Sequence, residues 1–290
     1  MAVGLATPVV VPVTQMEIEK AVTQMEHVTA AERSAGSLDE DKLQRLQAEF
    51  DEVGWCRLGS LVDPALLGRL EGALDRAAAE QLLAKGPEAW ATTRSMGPLL
   101  PRMAPWVDAE VVANPIVEQI VVRLLGGGAF IRWHGSNTAL PGPPSDPPLP
   151  AELRDGWAAG PGMQHLHMDG HGWSLGSASE AGSYGLPWPH QPFKIFVNIA
   201  VHDMLPENGS TQIWPGSNKV AASAAGMPCD VQKIDAARME PIIEQRLAAA
   251  KTRPVQLVLP RGAAVIRDLR CWHRGMPNCE QLERTCHRGS

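Results

Sequence analysis

Gln164-His165-Leu166-His167-Met168-Asp169-Gly170-His171 puts three histidines and one carboxylate into eight consecutive positions. Residues two apart on an extended strand point to the same face, so His167 and Asp169 can offer a nitrogen and an oxygen to one metal ion. A third ligand from elsewhere would complete a facial triad of two histidines and a carboxylate. Such a triad leaves octahedral positions open for a bidentate oxo-acid and O2. By itself His-x-Asp is a weak signal, because a strand also places these residues together for a simple hydrogen bond. His165 shares the strand face of His167 and Asp169, and His171 lies past a glycine. Both compete as ligands, and both are assigned to the cavity wall or to support of the ligands.

The third ligand is expected at His273, within Asp268-Leu269-Arg270-Cys271-Trp272-His273-Arg274-Gly275 and just after the apolar run Ala263 to Ile266. Farther along lies Arg284. Its planar fork suits bidentate pairing with the far carboxylate of 2-oxoglutarate once a barrel turns the following strand back toward the same cavity. Cys271 neighbours His273 in sequence and is expected in the core, on the opposite strand face from the metal.

Around these segments the pattern changes from helical to strand-like. Leu43, Leu46 and Phe50 recur at helical intervals, with Ser37 and Glu40 in the form of a capping box, and Gly54 ends the run. Trp55 to Leu58 reads as a strand. Asp63-Pro64 starts a second amphipathic helix through Leu66, Leu67, Leu70 and Leu74. A third helix is expected from Val111 to Leu125, ended by Gly126-Gly127-Gly128. Beyond it come short strands, Ala129 to His134, Phe193 to Val201, Gln212 to Trp214, Val255 to Leu259 and Ala263 to Ile266, set among Gly- and Pro-rich turns. An inserted helix is expected from Asp235 to Lys251, and Leu140 to Pro150 reads as an extended loop. This order describes an α+β protein: a β sandwich or barrel with helices on one side. Residues 1–36 read as a flexible tail and 37–290 as one domain.

Whole-chain properties narrow the function. With 290 residues, 44% of them hydrophobic, the chain can fill a large core. A formal charge of -6 disfavours a general hold on nucleic acid or anionic membranes, so a small-molecule substrate is expected. Five cysteines without a regular framework, and no basic residue ahead of the apolar N-terminal run, fit a reducing cytoplasmic setting.

Four pieces of the sequence resemble the phytanoyl-CoA dioxygenase family. They are Leu38 to Leu74 with its Val53-Gly54-Trp55 turn; His167-Met168-Asp169; Pro206-Glu207-Asn208-Gly209-Ser210 followed by Trp214-Pro215-Gly216-Ser217-Asn218; and Trp272-His273-Arg274-Gly275 with Asn278 and Arg284. Asn218 stands where the family often has histidine. The resemblance implies a double-stranded β-helix of the jelly-roll, cupin-like kind, with N-terminal helices packed against it. It also implies Fe(II) held by His167, Asp169 and His273, 2-oxoglutarate received by Arg284, O2 as oxidant, and release of succinate and CO2. Asn198 and Arg132 are further candidates for contact with the co-substrate. Trp173, Trp188 and His171, in the long loop after Asp169, are candidates for substrate contact. Asp169 leaves no vacated carboxylate position for a halide, so hydroxylation of a small organic metabolite is the expected outcome. The rival readings are a metal-dependent hydrolase or isomerase on a cupin-like barrel, which has no need of Arg284, and a ligand-binding member of the fold without turnover.

Overall fold

A computed structural model describes residues 24–85, 95–96, 101–129, 131, 135–136, 138–139, 164, 192, 194–219, 254–276 and 278. Among these, the main sheet takes the order β1 (Glu26–His27), β2 (Trp55–Gly59), β8 (Ala264–Asp268), β5 (Ile195–Ile199). β1 runs parallel to β2, and the other neighbours are antiparallel. A second sheet is antiparallel, with β6 (Gln212–Ile213) between β7 (Val255–Gln256) and β9 (His273–Arg274). β3 (Ser95–Met96) and β4 (Thr138–Ala139) form a separate pair.

Alternation along the strands sorts two cores. Cys56 and Leu58 of β2, and Ala264 and Ile266 of β8, join the helix-side cluster, against which Ile195, Val197 and Ile199 of β5 pack. Its other wall comes from Leu43, Leu46 and Phe50 of α2 (Glu40–Val53), Leu66, Leu67, Leu70 and Leu74 of α3 (Pro64–Lys85), and Ile116 and Ile120 of α5 (Pro115–Leu125). The intervening residues Trp55 and Val265 turn the other way and pack with Ile213, Leu257, Leu259 and Cys271. The second core therefore lies between the two sheets, and the period of two in β2, β5 and β8 decides which side chains face it.

The apolar spacing seen in the sequence is thus the helix face that covers the main sheet, at about 25 cal/mol per Å² of apolar surface removed from water. Helix starts follow local chemistry. Asp39 caps α2 by accepting from the Lys42 amide at 2.7 Å, two residues after the expected Ser37. Ser37 instead helps close α1 (Ala30–Ala35), its amide donating to the Glu32 carbonyl. The helix expected from Val111 to Leu125 is two, α4 (Ala109–Val112) and α5. Pro115 supplies no amide hydrogen, and the Asn114 side chain accepts from Ile116 and Val117 to start a new helix.

The stretch read as a tail contains, from residue 24 onward, β1 and α1, with Met25 and Val28 buried. Lys42 ties this segment down. Its Nζ donates to the His27 carbonyl at 2.9 Å and to both Glu32 carboxylate oxygens at 2.6 and 2.8 Å. Two-residue parallel pairing has no periodicity to read, so neither β1 nor the burial of Lys42 is visible in the sequence.

Gly54 ends α2 at φ 91°, and a Cβ there would collide with Cys271 Sγ and Asn218 Oδ1. Gly54→Ala is expected to cost about 3 kcal/mol, combining left-handed strain with overpacking. Urea unfolding measures this, and an unchanged midpoint would contradict the close packing at Gly54.

Candidate metal centre

His273 is buried on β9, in register with Ile213 of the central strand β6. Its Nδ1 lies 3.0 Å from the Cys271 carbonyl and 3.0 Å from Nη1 of Arg267. A proton on Nδ1 donated to that carbonyl would leave the lone pair on Nε2, the nitrogen a metal would take, whereas Arg267, which can only donate, favours the tautomer with Nδ1 as acceptor.

The segment leading into β9 is held by a polar clasp. Both carboxylate oxygens of Asp268 accept from Arg270: Oδ1 from its backbone amide and Nε at 2.9 Å, Oδ2 from Nη2 at 2.5 Å. Asn218 Nδ2 donates to Oδ2 of the same carboxylate at 3.3 Å. The Ser217 hydroxyl donates to the Trp214 carbonyl at 2.6 Å and accepts from the Trp272 amide at 2.9 Å, while the Trp214 amide donates to the Trp272 carbonyl. The Trp214 to Asn218 turn therefore grips the residue immediately before His273.

On the far side of His273, Gly275 meets Gln164. The Gln164 amide donates to the Gly275 carbonyl at 3.0 Å, and the Gly275 amide donates to Gln164 Oε1 at 2.8 Å. A Cβ on residue 275 would sit 2.6 Å from that Oε1, so glycine is what permits the approach. Gln164 opens the segment that contains His167 and Asp169.

Of the other sequence-derived candidates, Asn198 is described. It alternates with Val197 and Ile199, which pack on the helix side, and it pairs with Val265, so it occupies the face toward the second sheet. Arg132, His165, His167, Asp169, His171, Trp173, Trp188 and Arg284 lie outside the described residues, as do the expected 235–251 helix and 140–150 loop. Among the described residues, no group of three His, Cys, Asp or Glu side chains is arranged to hold a metal ion, and no helix is long and apolar enough to cross a membrane.

Cys271 belongs to the core between the sheets. Its thiol donates to the Gly54 carbonyl, and burial, reinforced by the nearby Asp268 charge, pushes its pKa up to about 12. A thiolate ligand at this position is accordingly disfavoured. The residues that sequence reasoning missed are Arg267, Ser217, Asp268 and Arg270. The Asp268-x-Arg270 spacing was a usable signal for a self-paired turn; the contact between Arg267 and His273 had none.

Residues 157–286 match the model of the Phytanoyl-CoA dioxygenase (PhyH) family. That span includes His167, Asp169, the whole clasp, His273 and Arg284. Through this segment, a little under half of its length, the chain is similar to the phytanoyl-CoA dioxygenase family.

Similar solved structures include EvdMO1, at 17% identity and a TM-score of 0.46, covering 82% of this chain and 47% of its own length. The chain thus spans about half of that protein. AviO1 from Streptomyces viridochromogenes Tue57 is 15% identical with a TM-score of 0.43, covering 88% of this chain and 91% of its own. SnoK, a non-heme alpha ketoglutarate dependent carbocyclase from nogalamycin biosynthesis, is 16% identical with a TM-score of 0.46, covering 84% and 79%.

Arg270→Ala leaves the Asp268 carboxylate, 1% exposed, without its charged partner, and is expected to cost about 3–5 kcal/mol in unfolding free energy. Chemical denaturation checks this, and a loss under about 1 kcal/mol would show that the pair contributes no more than a surface ion pair. In the native protein, peptides carrying Cys56 and Cys271 are expected to resist alkylation at pH 8 and to react after unfolding, as followed by mass spectrometry.

Proposed function

We propose that the chain is an Fe(II)- and 2-oxoglutarate-dependent dioxygenase that hydroxylates a small organic metabolite inside a double-stranded β-helix. His167, Asp169 and His273 would hold the iron, and Arg284 would pair with the distal carboxylate of 2-oxoglutarate. When bound, iron, 2-oxoglutarate and O2 supply an oxidant able to take hydrogen from a C–H bond, while the oxo-acid leaves as succinate and CO2.

The observation that carries this reading is the pairing of Gln164 with Gly275 beside His273. It joins Gln164, three positions before His167 in sequence, to the strand that carries His273, more than a hundred residues away along the chain. Replacement of the backbone acceptor by the Gln164 side chain marks an irregular pairing at this point.

The chain's own residues have separable tasks. The Cys271 carbonyl, accepting from Nδ1 of His273, would fix the ring with Nε2 toward the metal. The clasp of Asp268, Arg270, Asn218 and Ser217 holds the backbone that carries that ring. Asn198, on the face toward the second sheet, would donate to the oxo-acid. Arg132 is a second candidate for that contact, and Trp173, Trp188 and His171 for contact with the substrate.

Anaerobic addition of Fe(II) and 2-oxoglutarate is expected to give a weak visible charge-transfer band, and aerobic incubation a slow substrate-independent release of succinate. His167→Ala and Asp169→Ala should abolish both signals. Arg284→Ala should weaken 2-oxoglutarate binding about 100-fold while leaving metal binding intact, as expected for loss of a buried charge-assisted pair. Persistence of the band in His167→Ala would refute the ligand assignment.

A further inference from the structure

Six asparagines occur in the chain, and only Asn208 precedes a glycine. In that dipeptide the side-chain amide is most readily attacked by the next backbone nitrogen, because glycine puts no side chain in the way. Here the pair lies in the turn after β5, where Pro206–Asn208 forms one 3-10 turn and Gly209 follows at φ 84°. The fold holds each group that the attack requires. Asn208 Oδ1 accepts from the Leu205 amide at 2.9 Å, and Nδ2 donates to the Asp203 carbonyl at 2.7 Å. The Gly209 amide, which must give up its hydrogen to become a nucleophile, donates it to the Pro206 carbonyl.

The turn itself is braced from two sides. The Asp203 carboxylate accepts from the Arg261 amide at 2.7 Å, and Gln256 Nε2 donates to the Ser210 carbonyl at 3.3 Å. Gly209 also lies against the chain that leaves β9. A Cβ there would stand 2.7 Å from the Met276 carbonyl oxygen and 2.9 Å from the Asn278 amide nitrogen.

We infer that Asn208 is a site of spontaneous deamidation, kept intact by the fold, whose conversion unlocks the turn that backs the chain leaving β9. The Gly209 nitrogen, after losing its proton to solvent base, bonds to Cγ of Asn208; the Cγ–Nδ2 bond breaks, and ammonia leaves with a proton from water. Water then opens the five-membered imide at one of its two carbonyls. The product is aspartate or, with the backbone rerouted through the side chain, isoaspartate. Nothing is oxidised or reduced. Aspartate places an oxygen where Nδ2 was, facing the Asp203 carbonyl with no hydrogen between them. Isoaspartate adds a methylene to the backbone just before Gly209, where even a Cβ has no room. Either product loses the bond from Nδ2, so conversion needs the turn to open and then keeps it from closing fully.

The test follows the tryptic peptide that ends at Lys219 by mass spectrometry, in the full chain kept in mildly alkaline buffer either folded or in denaturing urea. In urea Asn208 is expected to convert several times faster than any other asparagine, and in the folded chain roughly 100-fold more slowly than in urea. Asp203→Ala, which removes the brace to Arg261, should speed conversion several-fold in the folded chain without changing the rate in urea. Asn208→Asp, a copy of one product, should lower the urea midpoint and speed hydrogen exchange at the Leu205 and Ser210 amides. Equal rates in the folded and unfolded chain would show that the turn gives no protection, and faster conversion of another asparagine in urea would remove Asn208 as the site. An unaltered midpoint in Asn208→Asp overturns the structural consequence. Should that variant not fold, the two rates of the unaltered chain still decide the protection.

Discussion

The buried carboxylate of Asp268 is the constraint on which the site depends. A carboxylate removed from water is tolerable only if its oxygens are fully engaged. Here Arg270 folds back on it from two positions along the chain, and Asn218 approaches from another turn. The charge closes the turn that ends β8 and, through Asn218 and its neighbour Ser217, fixes where β9 begins. His273 comes five residues later, with its backbone direction already determined. The two sheets converge at this corner, since Asp268 ends a strand of one and His273 starts a strand of the other. The geometry of His273 is thus set by a network of side chains outside the proposed ligand set.

Much of the fold was legible because burial leaves periodic traces. Leu43, Leu46 and Phe50, like Leu66, Leu67, Leu70 and Leu74, mark helix faces that pack on the main sheet. Gly54 marks the end of α2 because its conformation suits no other residue cheaply. Helix starts were less legible. Asp39 and Ser37 are both good caps, and only the presence of α1, whose Glu32 carbonyl takes the Ser37 amide, makes Ser37 part of one helix's end rather than the next one's start. The break at Asn114-Pro115 was readable in principle, from an amide donor that proline lacks and a side chain suited to cap, but strong apolar periodicity on both sides masked it.

The site reading rests on a pattern of residue order. His-x-Asp, His273 and Arg284 all fall within the residues 157–286 that match the family model, while His167, Asp169 and Arg284 lie outside the described residues. Illegible were contacts between residues close in sequence but fixed by tertiary structure. Arg267 lies six positions from His273, with nothing in composition or spacing to suggest that its guanidinium reaches the imidazole. Lys42 looks like an ordinary solvated helix residue, yet β1 and α1 close over it. Such cases share a cause: a long polar side chain is buried by neighbours that the local pattern does not specify.

The short strand β1 has one more effect. By pairing with β2 it occupies an exposed rim of the main sheet, where unpaired backbone groups would otherwise invite strands from other molecules. Two residues suffice, because Glu26 and the Arg45 that bridges to it ring this border with charge. A chain lacking these residues would present β2 as a sticky margin, and its first symptom would be self-association rather than loss of chemistry.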